Sequence, residues 1–141
     1  MKTQKFIGSW KLLEWSITGT DGTVSKPFGD HPIGRISYEA NGQMAVQIMK
    51  ENRTSFASED FLKARTDEIL PAFQSFIAYC GTFDVDLNSK TVVHHISISS
   101  FPNWIGQDQV RKFEFKEGQL ILSTDFIGSN KHKLVWEKTE V

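Results

Sequence analysis

Short runs in which apolar and polar residues alternate, each closed by turn-forming residues, recur along almost the whole chain, and no other feature restricts the fold as strongly. Alternation with period two sends successive side chains to opposite faces of a strand, whereas a helix needs a period of about 3.6. Such runs extend from Ser9 to Thr18, Arg35 to Ala40, Gln43 to Met49, Thr82 to Leu87, Thr91 to Ser99, Gln109 to Lys116, Gln119 to Asp125 and Lys131 to Lys138. Asn41-Gly42 predicts a two-residue hairpin between the second and third runs, because both central positions of that turn need positive φ. Leu87-Asn88-Ser89-Lys90 and Lys116-Glu117-Gly118-Gln119 supply later polar reversals, and Thr20-Asp21-Gly22-Thr23 opens a long loop containing Pro27 and Pro32. Pairing between neighbours in sequence follows, and about eight such strands remove their exposed edges by closing on themselves. The expected fold is all-β, an eight-stranded antiparallel up-and-down barrel.

One segment breaks the alternation. Ile69, Phe73, Phe76 or Ile77, and Cys80 recur at helical spacing, with Thr66 and Asp67 before them and Gly81 after, which predicts a helix between the third and fourth strands. Its regular part is expected from Leu70 to Tyr79, with Pro71 removing a backbone bond near its start. Cys80 continues the apolar stripe and is expected to be a buried, inert thiol.

Composition excludes several functions. The 141 residues, 39% of them hydrophobic, can bury one substantial core and are expected to form a single domain over residues 1–141. Sixteen Lys and Arg against seventeen Asp and Glu leave a net charge of -1, which provides no field to attract nucleic acid or an anionic membrane. No apolar run approaches the roughly 18 to 20 residues that cross a bilayer. Met1 to Phe6 lacks the apolar core of a secretory signal, and the lone Cys80 cannot form an internal disulfide, so a cytoplasmic setting is expected. Asn52-Arg53-Thr54 matches a glycosylation sequon and carries no weight without export.

A barrel of about eight strands has an interior that side chains fill or that holds one small ligand, so the phase of each strand becomes informative. The apolar, inward sets are Ile36 with Tyr38; Met44, Val46 and Ile48; Phe83, Val85 and Leu87; and Val92, His94, Ile96 and Ile98. Leu120 and Leu122 share a face with Thr124. Gln109, Arg111, Phe113 and Phe115 lie together, which puts a guanidinium beside two phenylalanines. In the first strand Trp10, Leu12 and Glu14 compete with Leu13, Trp15 and Ile17, and Glu14 is an interior acid only in the first phase. A buried charge costs several kcal/mol when unpaired, so Arg111 is expected to find an anionic or hydrogen-bonding partner. Tyr38, His94, Arg111, Thr124 and Glu14 then supply the few convergent polar groups of an otherwise apolar pocket. His94 and His95 point to opposite faces and do not suit one ion, and no CxxC or HExxH accompanies them; no metal and no cofactor is expected. Asp84, Asp86 and Asp125 take outward phases, which leaves no carboxylate pair for glycoside chemistry.

Gly8-Ser9-Trp10 looks like the Gly-x-Trp signature of lipocalins, in which a strand-one Trp packs across the closed end of the barrel near a basic side chain. More of the chain resembles a family of small bacterial and fungal lipocalin-like domain proteins. The resemblance runs through Pro27-Phe28-Gly29, Met44-Ala45-Val46-Gln47, Phe76-Ile77-Ala78-Tyr79, His94-His95, Phe101-Pro102-Asn103-Trp104, Asp108-Gln109-Val110-Arg111 and Leu134-Val135-Trp136-Glu137. It covers most of the sequence in order and implies a lipocalin-like, calycin-type barrel with a helix between strands three and four. It also implies that Arg111 stacks on Trp10 at the barrel floor; the alternative is that Arg111 clamps a ligand oxygen. Related barrels include passive carriers as well as cyclases and isomerases, so fold alone does not choose an activity.

Three expectations follow. The first is binding of a small, mostly apolar organic metabolite, by a monomer or homodimer. Tyr38, His94, Arg111 and Thr124 would fix its polar end, with Phe113 in the wall and Trp104 at the mouth. The second is a cofactor-free isomerase, cyclase or hydratase, in which Arg111 and Tyr38 stabilise an oxyanion and His94 moves a proton. In the third, the eleven Phe and four Trp fill the barrel completely.

Overall fold

A computed structural model describes residues 4–139. Period-two patterning becomes β1 (Gly8–Gly19), β2 (Val24–Ser25), β3 (Ile33–Tyr38) and β4 (Gln43–Met49). A nine-residue helix, α1 (Thr66–Gln74), follows, and then β5 (Phe76–Asp86), β6 (Thr91–Ser99), β7 (Asp108–Lys116), β8 (Gln119–Ser123) and β9 (Asn130–Lys138). β1 pairs with β3, each later strand pairs with the next, and β9 returns to pair with β1. The result is a closed antiparallel barrel of eight strands, with the two-residue β2 attached to the outer part of β1. Among the described residues no helix is long and apolar enough to cross a membrane.

Two bulges set which side chains enter the barrel. Against β9, the β1 register shifts between Leu12 and Glu14, leaving Leu13 as the extra residue. The shift reverses the strand's phase: Trp10 and Leu12 are buried before it, and Trp15 faces inward after it. The competing phases of the first strand are therefore both used, one after the other. Against β6, the β5 register shifts between Cys80 and Gly81, so that Gly81 faces Ile96 and Cys80 faces Ile98. The backbones come so close there that a Cβ on Gly81 would lie 1.8 Å from the His95 carbonyl oxygen. Beyond this bulge Ile98 turns outward and is 68% exposed, which corrects its assignment to the interior. Leu87, also expected inside, lies past the end of β5 in the turn and is exposed.

The expected helix from Leu70 to Tyr79 is displaced. α1 begins four residues earlier and stops at Gln74, and Phe76 to Tyr79 open β5 opposite β4. The helical spacing misled because Ile77, Tyr79, Phe83 and Val85 also fit a period of two across a glycine. Cys80 is therefore a half-buried strand residue, not part of a helical stripe. The Glu68 carboxylate accepts from the Arg65 and Ala57 backbone N–H groups (3.1 and 2.9 Å), which fixes the helix start despite Pro71 inside it. No residue of α1 is buried.

The Asn41-Gly42 hairpin pairs β3 with β4 as expected, but with a wider turn. Gly42 N–H donates to the Glu39 carbonyl (3.0 Å), and of these two residues only Gly42 has positive φ, at +90°. The two-residue turn with both φ values positive is instead Glu117-Gly118, between β7 and β8.

One end of the barrel is plugged. Phe6 inserts there with its ring edge-on to Tyr38, Phe113 and Phe115, at centroid distances of 5.3, 4.9 and 5.0 Å. Trp10 Nε1–H donates to the Phe6 carbonyl (2.9 Å), and the Lys138 ammonium lies 4.7 Å from the Trp10 ring and donates to the Ile7 carbonyl. The cation over the strand-one Trp is thus Lys138, which corrects the stacking role that the resemblance implied for Arg111.

Candidate functional site

Away from the Phe6 plug the barrel is hollow, so the aromatic side chains fill only part of it. A cavity of about 290 Å³ is walled by aliphatic side chains of β3, β4, β8 and β9, among them Ile36, Val46, Ile48, Leu122 and Leu134. Trp15, Trp104 and Trp136 add aromatic wall, and Ile127 contributes from the loop between β8 and β9. Trp104 ends a 3-10 turn (Pro102–Trp104), where its ring stands edge-on to Tyr79 at 5.9 Å and to Phe101 at 5.2 Å. Trp136 is almost fully buried, and its indole N–H has no hydrogen-bond partner among the described residues.

Polar groups gather on one side. His94, brought inward by the phase of β6, is 1% exposed and lies between two phenols. Its Nε2 is 2.7 Å from the Tyr38 hydroxyl and its Nδ1 is 2.7 Å from the Tyr79 hydroxyl. Burial, reinforced by the nearby Arg111 charge, lowers the His94 pKa to about 3, so its imidazole is neutral at physiological pH. Burial raises Tyr79 to about 12 and Tyr38 well above the usual phenol range, so both keep their protons. Arg111 and Gln109, two residues apart on β7, also line the cavity, and the guanidinium donates to Gln109 Oε1 (2.8 Å) and to the Val110 carbonyl (3.1 Å). Among the described residues Arg111 forms no ion pair. His132 closes this side from β9, its Nδ1 accepting from Trp15 Nε1–H (3.1 Å), and burial followed by the Arg111 charge lowers its pKa.

Of the residues singled out from the sequence, His94, Arg111 and Trp104 line the cavity, and Tyr38 stands directly behind His94. Three lie elsewhere. The bulge at Leu13 turns Glu14 outward, where its carboxylate is 3.5 Å from the Lys26 ammonium. Thr124 is buried, but its hydroxyl accepts from the His132 backbone N–H (3.0 Å), holding the ends of β8 and β9 together outside the cavity wall. Phe113 packs on Phe6 in the plug. Tyr79, Gln109 and His132 are polar wall residues that the sequence reading does not assign to the site, although it puts Gln109 on the face of Arg111. Tyr79 was hidden by the helical reading of its segment, although it alternates with Ile77 and Phe83; His132 shares period two with Leu134 and Trp136. On the outer wall, directly after His94, His95 is bracketed by Asp84 and Asp108, each 2.8 Å away.

A barrel plugged at one end and hollow, largely apolar and locally polar at the other has the form of a small-ligand binder. The chain belongs to the lipocalin-like domain family, which matches residues 7–139. A curated relative is the 4'-hydroxy-3'-methoxypropiophenone carrier protein ppsC of Aspergillus oryzae, 32% identical over 87 residues, covering 57% of this chain and 78% of that protein. Similar solved structures include a redesigned β-barrel (TM-score 0.48, 13% identity, 98% of this chain and 95% of that one). Another is the wild-type fluorescent protein UnaG (TM-score 0.43, 13% identity, 97% of this chain and 99% of that one).

Proposed function

We propose that the protein is a carrier for a small, mostly apolar organic molecule of about one substituted aromatic ring, held in the hollow half of the barrel. The observation that carries this reading is the cavity of about 290 Å³, apolar on most of its wall and polar along one side. At roughly 30 Å³ per water it has the space of about ten waters, which suits a ring with short substituents. A relative whose name describes carriage of an aryl ketone supports the same size and chemistry. A cytoplasmic setting and a monomeric or homodimeric state belong to the proposal. His94 weighs against the catalytic alternative: a general acid or base works best with a pKa near the working pH, and this imidazole titrates at about 3.

Titration with 4'-hydroxy-3'-methoxypropiophenone, read by tryptophan fluorescence, tests the reading because Trp15, Trp104 and Trp136 all line the cavity. Saturable one-to-one quenching is expected. Ile77→Trp, which places a larger side chain in the half-buried wall, is expected to abolish quenching while the thermal midpoint stays within a few degrees. Binding undiminished by Ile77→Trp would place the ligand outside the barrel.

A further inference from the structure

The polarity of the hydrogen bonds in the cavity carries the proposed function one step further, to the charge state of its ligand. Neutral imidazole has one N–H and one lone pair, so of the two phenols touching His94 one must donate to it and the other must accept from it. If Nε2 held the proton, the Tyr38 hydroxyl would accept, and its own O–H, fully buried with no other partner among the described residues, would be stranded. A stranded buried donor costs about 1–3 kcal/mol. The opposite polarity strands no donor in the packed wall: Tyr38 O–H donates to Nε2, Nδ1–H donates to the Tyr79 oxygen, and the Tyr79 O–H is left to point at the cavity that Tyr79 lines.

The other wall groups lean the same way. Trp15 Nε1–H can only donate, so His132 Nδ1 must be the lone-pair nitrogen and its proton sits on Nε2, which meets no protein acceptor among the described residues. Gln109 uses its oxygen on Arg111, and its amide N–H groups meet no acceptor among the described residues. Among the described residues Arg111 has two neutral acceptors and no carboxylate, and none that lines the cavity is acidic. The wall therefore presents hydrogen-bond donors and one uncompensated cation, while its Tyr79 and Gln109 oxygens each already accept one hydrogen bond.

We infer that the cavity selects a ligand bearing an acidic oxygen, a phenol or stabilised enol, and binds it as the anion, with Arg111 and the Tyr79 hydroxyl on that oxygen and the ligand's proton released to solvent. This rests on the proposed carrier function and narrows its ligand class. Tyr38 and His94 act as positioning residues that aim the Tyr79 O–H.

Paired titrations with 4-nitrophenol and its methyl ether, 4-nitroanisole, separate the two levels. The visible band of the phenolate reports ionisation directly. On binding, the apparent pKa of 4-nitrophenol is expected to fall by at least about one unit, because a cation at close range favours the anion by that much or more. The fall should vanish in Arg111→Met and persist in Arg111→Lys, with the thermal midpoint confirming that each variant folds. Tyr79→Phe should weaken the phenolate about tenfold and the methyl ether, a weaker neutral acceptor, distinctly less. An ether that binds, with a phenol whose pKa stays put or rises, overturns the anion inference and leaves the carrier reading standing. A pKa fall that survives Arg111→Met also overturns it. If neither molecule binds, both readings fall.

Discussion

At the scale of single residues the central feature is the Tyr38–His94–Tyr79 row. Its polarity follows from the rule that a fully buried O–H needs an acceptor, and it predicts the Nδ1–H tautomer for His94, which long-range proton–nitrogen correlation spectra would reveal directly. The Nε2–H tautomer in that spectrum would reverse the row. Tyr38→Phe removes the donor to Nε2 and leaves a lone pair in a dry site, so a loss of about 1–3 kcal/mol is expected in urea unfolding. His94 and Tyr38 were legible in the sequence because each shares an alternating run with aliphatic residues. Tyr79 was not, since Ile69, Phe73, Phe76 and Cys80 satisfy a helical period through the same stretch. Glu14 failed for a different reason: strand parity carries no sign of a bulge until the partner strand is known.

Single elements show where the backbone, not the side chains, decides. β5 follows β6 through its bulge only because Gly81 lacks a Cβ, and Gly81→Ala is expected to cost about 3 kcal/mol or more, visible as a lowered urea midpoint. Gly34 provides the control: a Cβ there meets Leu12 side-chain atoms at 3.1 Å and the Gln47 carbonyl oxygen at 3.2 Å, a tighter fit than usual but not a collision, so Gly34→Ala should cost distinctly less. A midpoint for Gly81→Ala equal to that of Gly34→Ala would mean that the strands can separate at the bulge. The helix is a weaker element. It buries no residue and contains Pro71, which withholds one backbone bond. Pro71→Ala should slow amide exchange within Thr66–Gln74 with little change in global stability. Strand existence and order were readable from turn residues and alternation, but the helix start was not, because Glu68, which accepts from Arg65 at the helix start, is also held by the Ala57 N–H, nine residues upstream of Thr66.

For the whole molecule, two neighbouring histidines on opposite faces of one wall give stability a maximum in pH. Burial holds the folded pKa of His94 near 3 against about 6.5 in the unfolded chain, so the unfolded state binds the extra proton between those values. Stability is then lost as pH falls through that window, at up to roughly 1.4 kcal/mol per unit, and His132 adds to the same limb. His95 has the opposite sign. Hydrogen bonds donated by its imidazole to the Asp108 and Asp84 carboxylates raise its folded pKa, so its contribution is complete below about 6.5 and disappears as pH rises through the folded value. Urea unfolding followed from about pH 4 to about pH 9 should trace both limbs, with His95→Gln flattening only the alkaline one. The closed barrel itself was foreseeable because consecutive antiparallel strands can remove their edges only by meeting end to end. The hollow was not, since composition does not say how far Phe6 and its neighbours reach up the interior. The seam where Trp10 lies opposite Lys138 also governs when that hollow comes into being. His132, Leu134 and Trp136 stand on β9, so the compartment has no complete wall until that strand has docked on β1. Closure must bring together positions almost a full chain length apart, and such topologies assemble slowly. Whatever occupies the hollow must therefore enter a finished barrel, after β9 has docked on β1.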